Sequence, residues 1–188
     1  AATADKPGKD PDWLVGTLLA AWSGKTYILD VVRDRLSPDQ AISLFAKTAV
    51  SDDVDQVVEQ EPGASGKLLV KFLESELRRE KFTRRVVGAL TSGNKETRAF
   101  MAAADWSQNP SGFVLVEGGW VPEFLDELRY FPHVKHDDQA DALSHGYNHL
   151  RGTNYLVGDY RVPGSSDVVG RARARAEARQ RDKTGTES

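Results

Sequence analysis

The side chains in this sequence best suited to chemistry are carboxylates. The segment His136-Asp137-Asp138-Gln139-Ala140-Asp141-Ala142-Leu143-Ser144 places three acids at the start of a helical pattern. Asp137 and Asp141 share a helix face, Asp138 and Asp141 are neighbours one turn apart, and Asp138 lies about 100° round the axis from Asp137. A second acidic group, Glu59 and Glu61, follows the short apolar stretch Gln56-Val57-Val58 and precedes the turn-forcing run Pro62-Gly63-Ala64-Ser65-Gly66. In open α/β sheets, ligands sit at such a strand end. Carboxylates gathered from a strand end and a helix start suit hard, oxygen-seeking cations such as Mg²⁺ or Mn²⁺. Two such ions about 3.5–4 Å apart can activate a water and stabilise the leaving oxygen in phosphodiester hydrolysis. The same residues also have a plainer use, because an Asp at a helix N-terminus is commonly a cap or a macrodipole partner and a strand-end Glu is commonly solvated. What sets the helix-start group apart is its mixture with Ala140, Ala142 and Leu143, a face that should be packed. Carboxylates held close to such a face need a cation or hydrogen bonds.

Cations and a histidine lie near these acids in the pattern. Lys95 and Arg98 fall at a helix start beside Ser92-Gly93-Asn94, where backbone N–H groups and two cations can grip a phosphate. Lys67, in the turn after Glu61, is a further candidate phosphate contact. His136 directly precedes the acid pair, as a helper at a metal or scissile phosphate or, more commonly for such a residue, as the group that orients the turn. Other chemistries are excluded or lack support. Without cysteine there is no disulfide, thiolate zinc site, iron–sulfur cluster or cysteine nucleophile, which suits a reducing compartment. No Ser–His–Asp arrangement emerges from order or spacing. Gly24-Lys25-Thr26 resembles the end of a P-loop, but Leu19 stands in the first glycine slot and a strand pattern follows. Gly66-Lys67 fails likewise, with Glu61 in the glycine slot and Leu68 after the lysine. No ATP site is expected.

The elements that must position these groups alternate between strand and helix periods. Leu14–Trp22 and Tyr27–Val32 are apolar runs around Ser23-Gly24-Lys25, the pattern of a β-hairpin. Ser37 then caps a helix with Pro38 in its first turn and Ile42, Phe45 and Ala46 on its apolar face. Further strands are expected at 56–58, 84–89 and 112–117, and helices at 66–80, 95–104, 121–129 and 137–150, with Leu69, Phe72, Leu73 and Leu77 at helical spacing in the first of these. Trp120 should anchor its helix by packing. Helices interleaved with strands after an opening hairpin predict an α/β layer fold with a mixed central sheet flanked by helices.

Size and charge bound the rest. A chain of 188 residues with 39% hydrophobic and 28% charged residues has material for one packed domain. No apolar run reaches the roughly 18–20 residues a membrane helix needs, and the N-terminus lacks a basic region followed by an apolar one, so neither secretion nor membrane insertion is expected. The net charge of −3 means that any nucleic acid must be held by a local patch or through bound cations. Residues 171–188 carry six Arg or Lys against three acids and almost no large apolar side chain. The expected organisation is therefore a compact domain over 1–150, then a linker and an Arg-rich flexible tail over 151–188.

Several of these stretches together resemble the C-terminal nuclease domain of phage terminase large subunits. They are Asp10-Pro11-Asp12-Trp13, Tyr27-Ile28-Leu29-Asp30-Val31-Val32-Arg33, Glu59-Gln60-Glu61-Pro62-Gly63 to Gly66-Lys67, and Gly93-Asn94-Lys95 to Arg98-Ala99. The run Trp120-Val121-Pro122-Glu123-Phe124-Leu125-Asp126-Glu127-Leu128, then Phe131-Pro132 and His136 to Ser144, completes the series in the family's order. The resemblance covers most of residues 9–150 and implies an RNase H-like fold. It also implies a metal-dependent endonuclease that uses two Mg²⁺ or Mn²⁺ ions to cut concatemeric double-stranded DNA during viral genome packaging. By position, it implies that Asp137 is the helix-borne metal ligand, with Asp138 beside it as ligand or helper and Asp141 in the same candidate set. One strand-end glutamate is the other ligand; counting back from Gly66 selects Glu61, whereas strand geometry favours Glu59. Lys95, Arg98 and Lys67 become DNA contacts.

The implied partners are double-stranded DNA, a terminase small subunit, an ATPase domain and a portal protein, in the cytoplasm of an infected host. The family's first catalytic Asp ends an apolar strand ahead of the position of Asp12. Here Ala1-Ala2-Thr3 resembles what immediately follows that Asp, so the strand and its acid are expected before residue 1. Asp5 is the alternative within the chain, although no apolar strand precedes it. Two further readings stand beside this one. The first is a junction resolvase or transposase-like nuclease on the same fold. The second is an inactive or truncated terminase fragment that binds DNA or a portal. Ending the chain at Gly164 tests the tail, which could grip DNA or contact a portal or partner subunit: if it grips DNA, affinity falls and its salt dependence flattens, while unchanged binding and slope remove the DNA role.

Overall fold

The computed structural model describes residues 13–91 and 94–152. Asp5 and the Arg-rich tail lie outside the described residues. In chain order the elements are β1 (Leu14–Trp22), β2 (Lys25–Asp34), α1 (Pro38–Asp52), β3 (Gln56–Gln60), α2 (Ala64–Arg79), β4 (Val86–Leu90), α3 (Lys95–Gln108), β5 (Phe113–Leu115), α4 (Val121–Tyr130) and α5 (Asp138–Gly152). The chain divides into two compact units, one built from α1, β3, α2 and β4 and the other from β1, β2, α3, β5, α4 and α5.

In the second of these units, β1 and β2 form the expected hairpin. Ser23 and Gly24, at φ 50° and 72°, both adopt the left-handed turn conformation. Two successive positive φ values make a type I′ turn, whose twist matches that of the flanking strands. The glycine-lysine pair that mimics a P-loop is therefore the tip and exit of a hairpin. On its other edge β2 pairs in parallel with β5, Thr26 opposite Phe113 and Ile28 opposite Leu115, giving a three-stranded mixed sheet in the order β1-β2-β5. The central strand is the most buried, from Ile28 through Val32, which is why its sequence is a near-continuous apolar run rather than an alternation.

The core of this unit joins Ile28, Val31, Phe124 and Leu143, with Leu19, Trp106 and Trp120 packed against it. Trp120 meets Phe124 edge to face at 5.4 Å and so anchors α4, as its position suggested. Helices α3 and α5 are tied together. Phe113 stacks between Trp106 (4.6 Å) and Tyr147 (5.5 Å), the Tyr147 hydroxyl donates to Asp105, and Asn148 Nδ2 donates to the Arg98 carbonyl at 3.1 Å.

The other unit is organised around a β-α-β crossover. Strands β3 and β4 run parallel in register from Gln56 opposite Val86 to Gln60 opposite Leu90, with α2 between them. Helix α1 begins at the expected cap, where the Ser37 N–H donates to Gln40 Oε1 at 3.1 Å. Leu73 and Leu77 of α2 and Ala49 of α1 are buried. Strand β4 starts two residues later than the pattern suggested: the Arg85 N–H donates to Asp55 Oδ1 at 3.1 Å instead of to a neighbouring strand, and the side chains of Arg84 and Arg85 form ion pairs. Arg84 holds Asp53 through Nε at 3.0 Å and a terminal nitrogen at 2.8 Å, and Arg85 Nε holds Asp55 at 2.9 Å. Helix α2 starts at Ala64 rather than Gly66, and α5 at Asp138 rather than Asp137. Among the described residues, no helix is long and apolar enough to cross a membrane.

The acidic turn after β3 has a strict steric requirement. Gly66, buried in the first turn of α2, lies so close to the preceding chain that a Cβ there would stand 2.1 Å from the Glu61 carbonyl oxygen. The obstructing atom is backbone, so no rotamer change relieves it. Gly66→Ala is expected to lower stability by about 2–3 kcal/mol, measured by urea denaturation, with the damage centred on the Glu61 turn.

Candidate active site

The site is built from the start of α5. The first turn of a helix presents backbone N–H groups with no partner inside the helix, and here a buried carboxylate from α4 takes them. Glu127 Oε1 accepts from the N–H groups of Gln139 (2.7 Å) and Ala140 (3.0 Å), while Oε2 accepts from Gln139 Nε2 (2.6 Å). The negative charge also complements the positive end of the helix macrodipole. Glu127 thus does the capping that the sequence assigned, on general grounds, to the aspartates themselves. The Asp137 carbonyl accepts the first intrahelical hydrogen bond from the Asp141 N–H, at 3.0 Å.

Two of the three acids at this helix start converge on one cation. Lys95 Nζ, from the first residue of α3, lies 2.5 Å from Asp137 Oδ1 and 3.0 Å from Asp141 Oδ2. Arg98, one turn further along α3, holds the other oxygen of Asp141 at 2.8 Å. Asp141 and Arg98 are largely buried, each with 12% of the side chain exposed, whereas Lys95 keeps 46%. Burial opposes the charge on Lys95, but its hydrogen bonds to Asp137 and Asp141 outweigh that penalty and raise its pKa well above the ordinary lysine value. The four-residue spacing seen in the sequence is thus realised as two carboxylates aimed at a single point.

The remaining candidates are placed as follows. Asp138 opens α5 and is half-buried, with interactions of its own. His136 lines a cleft of about 290 Å³ together with Arg33, Glu123, Asp126 and Tyr130; Arg33 and Glu123 pair there at 3.3 Å. Glu59 lies within β3 and Glu61 just beyond its end, both exposed, and Lys67 is exposed in the first turn of α2. These three belong to the unit of α1, β3, α2 and β4. Among the described residues, no group of three or more His, Asp or Glu side chains is gathered as a metal cage. The Asp137–Asp141 pair nonetheless fits a hard divalent cation. Mg²⁺ is commonly bound through one or two carboxylates, with waters and substrate phosphates completing its shell.

Two carboxylates escaped the reading from sequence. Glu127 is one, and its signal was the acid within an otherwise apolar helix face one element before the aspartates. The other is Asp30, fully buried in the middle of β2 between Leu29 and Val31 and engaged in interactions of its own. Its signal was a charged residue interrupting the apolar run from Tyr27 to Val32.

A family model described as a terminase RNaseH-like domain matches residues 2–150. The chain belongs to that family. No curated protein matches it. Membership and the mixed α/β architecture establish the RNase H-like fold. They make the chain a terminase nuclease-type module, a class that works in DNA packaging. In this terminase RNaseH-like domain, Glu127 sets the position of the residues around which the candidate site forms. Glu127→Ala leaves two backbone N–H groups and a buried amide without their acceptor. It is expected to lower the unfolding free energy by about 2–4 kcal/mol in a denaturant titration, with Glu127→Gln intermediate.

Proposed function

We propose that this terminase RNaseH-like domain is a metal-dependent endonuclease that cuts concatemeric double-stranded DNA during genome packaging. The observation that carries this reading is the convergence of Asp137 and Asp141 on one cationic point at the start of α5. Asp137 serves as the helix-borne ligand, Asp141 as its partner on the same face, and Asp138 as a further ligand or helper. The resemblance to terminase nuclease domains assigns another ligand to the acidic turn, Glu61 before Glu59, and offers Asp5 as a candidate for the family's first acid. Two Mg²⁺ or Mn²⁺ ions bound by these acids would supply water activation and stabilisation of the leaving oxygen.

The chain's own residues have the remaining tasks. Glu127 fixes the start of α5, so that Asp137 and Asp141 keep their common aim. Arg98 neutralises one oxygen of Asp141 and leaves the other facing the site. Lys95 and Lys67 are the candidates to receive DNA phosphates, with His136 as a helper beside the acid pair. A net charge of −3 makes such local cations necessary for holding a polyanion. The partners that follow are double-stranded DNA, an ATPase domain, a terminase small subunit and a portal protein, in the cytoplasm of an infected host.

Titration calorimetry with Mn²⁺ and nicking of supercoiled plasmid test the proposal. Mn²⁺ should bind, and nicking should depend on it and stop on chelation. Asp137→Asn should reduce nicking by at least about a hundredfold, while Glu80→Gln, at the exposed end of α2, changes nothing. Absence of Mn²⁺ binding, or nicking indifferent to Asp137→Asn, overturns the reading.

A further inference from the structure

Lys95 occupies a position that being a DNA contact does not explain. Its ammonium stands at the point on which Asp137 Oδ1 and Asp141 Oδ2 converge, 2.5 and 3.0 Å away. A divalent cation held by both carboxylates would need that same space. Two cations cannot occupy that one point together, because an ammonium placed there fills the coordination space between the two oxygens and repels a second positive charge at contact. We infer that Lys95 is a built-in counter-ion: it occupies the Asp137–Asp141 pair when no divalent ion is bound and is displaced when one binds. The inference rests on the assignment of Asp137 as a metal ligand.

The surroundings suit an exchange of this kind. Without a cation, two carboxylates one helical turn apart repel each other and destabilise the helix start. Lys95 removes that repulsion in the ion-free domain. Its charge sits on a flexible four-carbon stem with 46% of the side chain exposed, so it has somewhere to go. Arg98 is built for the opposite role. With 12% exposure and a planar head on the far oxygen of Asp141, it stays in place and keeps that carboxylate oriented while the exchangeable cation changes. Once displaced, the Lys95 ammonium is released at the rim of the acid pair, where a DNA phosphate drawn to a bound ion would meet it. Metal binding and phosphate binding are then coupled through one side chain.

Calorimetric titration of the full chain with Mn²⁺, comparing wild type, Lys95→Gln, Lys95→Arg and Asp137→Asn, tests the inference. Removing a competing, partly exposed ammonium should tighten Mn²⁺ binding about fivefold in Lys95→Gln, whereas Lys95→Arg, which keeps the charge, should bind no more tightly than wild type. Unchanged or weaker binding in Lys95→Gln, with wild-type binding lost in Asp137→Asn, overturns the counter-ion role and leaves the metal reading intact. No Mn²⁺ binding by the wild type overturns both. Should Lys95→Gln fail to fold, NMR of the wild-type lysine ammonium groups during Mg²⁺ titration decides. The hydrogen-bonded Lys95 signal should disappear as Mg²⁺ saturates, and its persistence at saturation overturns the inference.

Discussion

Negative charge placed against a packed face must be compensated, and the start of α5 is where this constraint bears hardest. The helix buries Ala140, Leu143 and Tyr147, yet Asp137 and Asp141 flank that surface and Glu127 lies beneath it. Each carboxylate finds a different remedy. Glu127 is met by backbone N–H groups and an amide, Asp141 by a buried guanidinium and a lysine, and Asp137 by the same lysine. These remedies differ in permanence. Hydrogen bonds from a helix terminus and a buried Arg are fixed parts of the fold, whereas an exposed ammonium can be exchanged for another cation at small cost.

The scaffold supplies this arrangement economically. A hairpin brings β2 to the centre of its sheet, where Ile28 and Val31 form the surface on which Phe124 and Leu143 pack. The aromatic column of Trp106, Phe113 and Tyr147 ties α3 to α5. That tie keeps Lys95 and Arg98 within reach of the aspartates. The cations the sequence offers as phosphate contacts are therefore first of all the counter-charges of the acids. In a terminase nuclease-type module with a net charge of −3, such double use ties these two cations to the acid pair.

The sequence revealed its elements well because hydrophobic period and turn chemistry are local. The Ser23-Gly24 turn, the Ser37-Pro38 helix start and the spacing of Leu73 and Leu77 each report themselves within a few residues. It was less informative at element ends decided by long-range pairs. Just before β4 the Arg85 N–H is taken by the Asp55 side chain and Arg84 pairs with Asp53, and those acids lie some thirty residues earlier. The same limit applied to the site. The shared face of Asp137 and Asp141 follows from helix geometry alone. That Glu127 is their support, and that Asp30 is a buried carboxylate rather than a strand-edge one, depends on which face of each element meets the core.

The amino-acid sequence alone determined the order and type of the elements, the acid clusters at 59–61 and 137–141, and the family likeness, because all of these are written in residue type and short spacing. The tertiary structure decided which cation answers which carboxylate. Lys95 and Asp137 are distant along the chain, and no local rule links them. They meet because aromatic stacking holds α3 against α5 and a glutamate cap from α4 fixes where α5 starts, and electrostatic pairing is resolved only once that packing sets the distances.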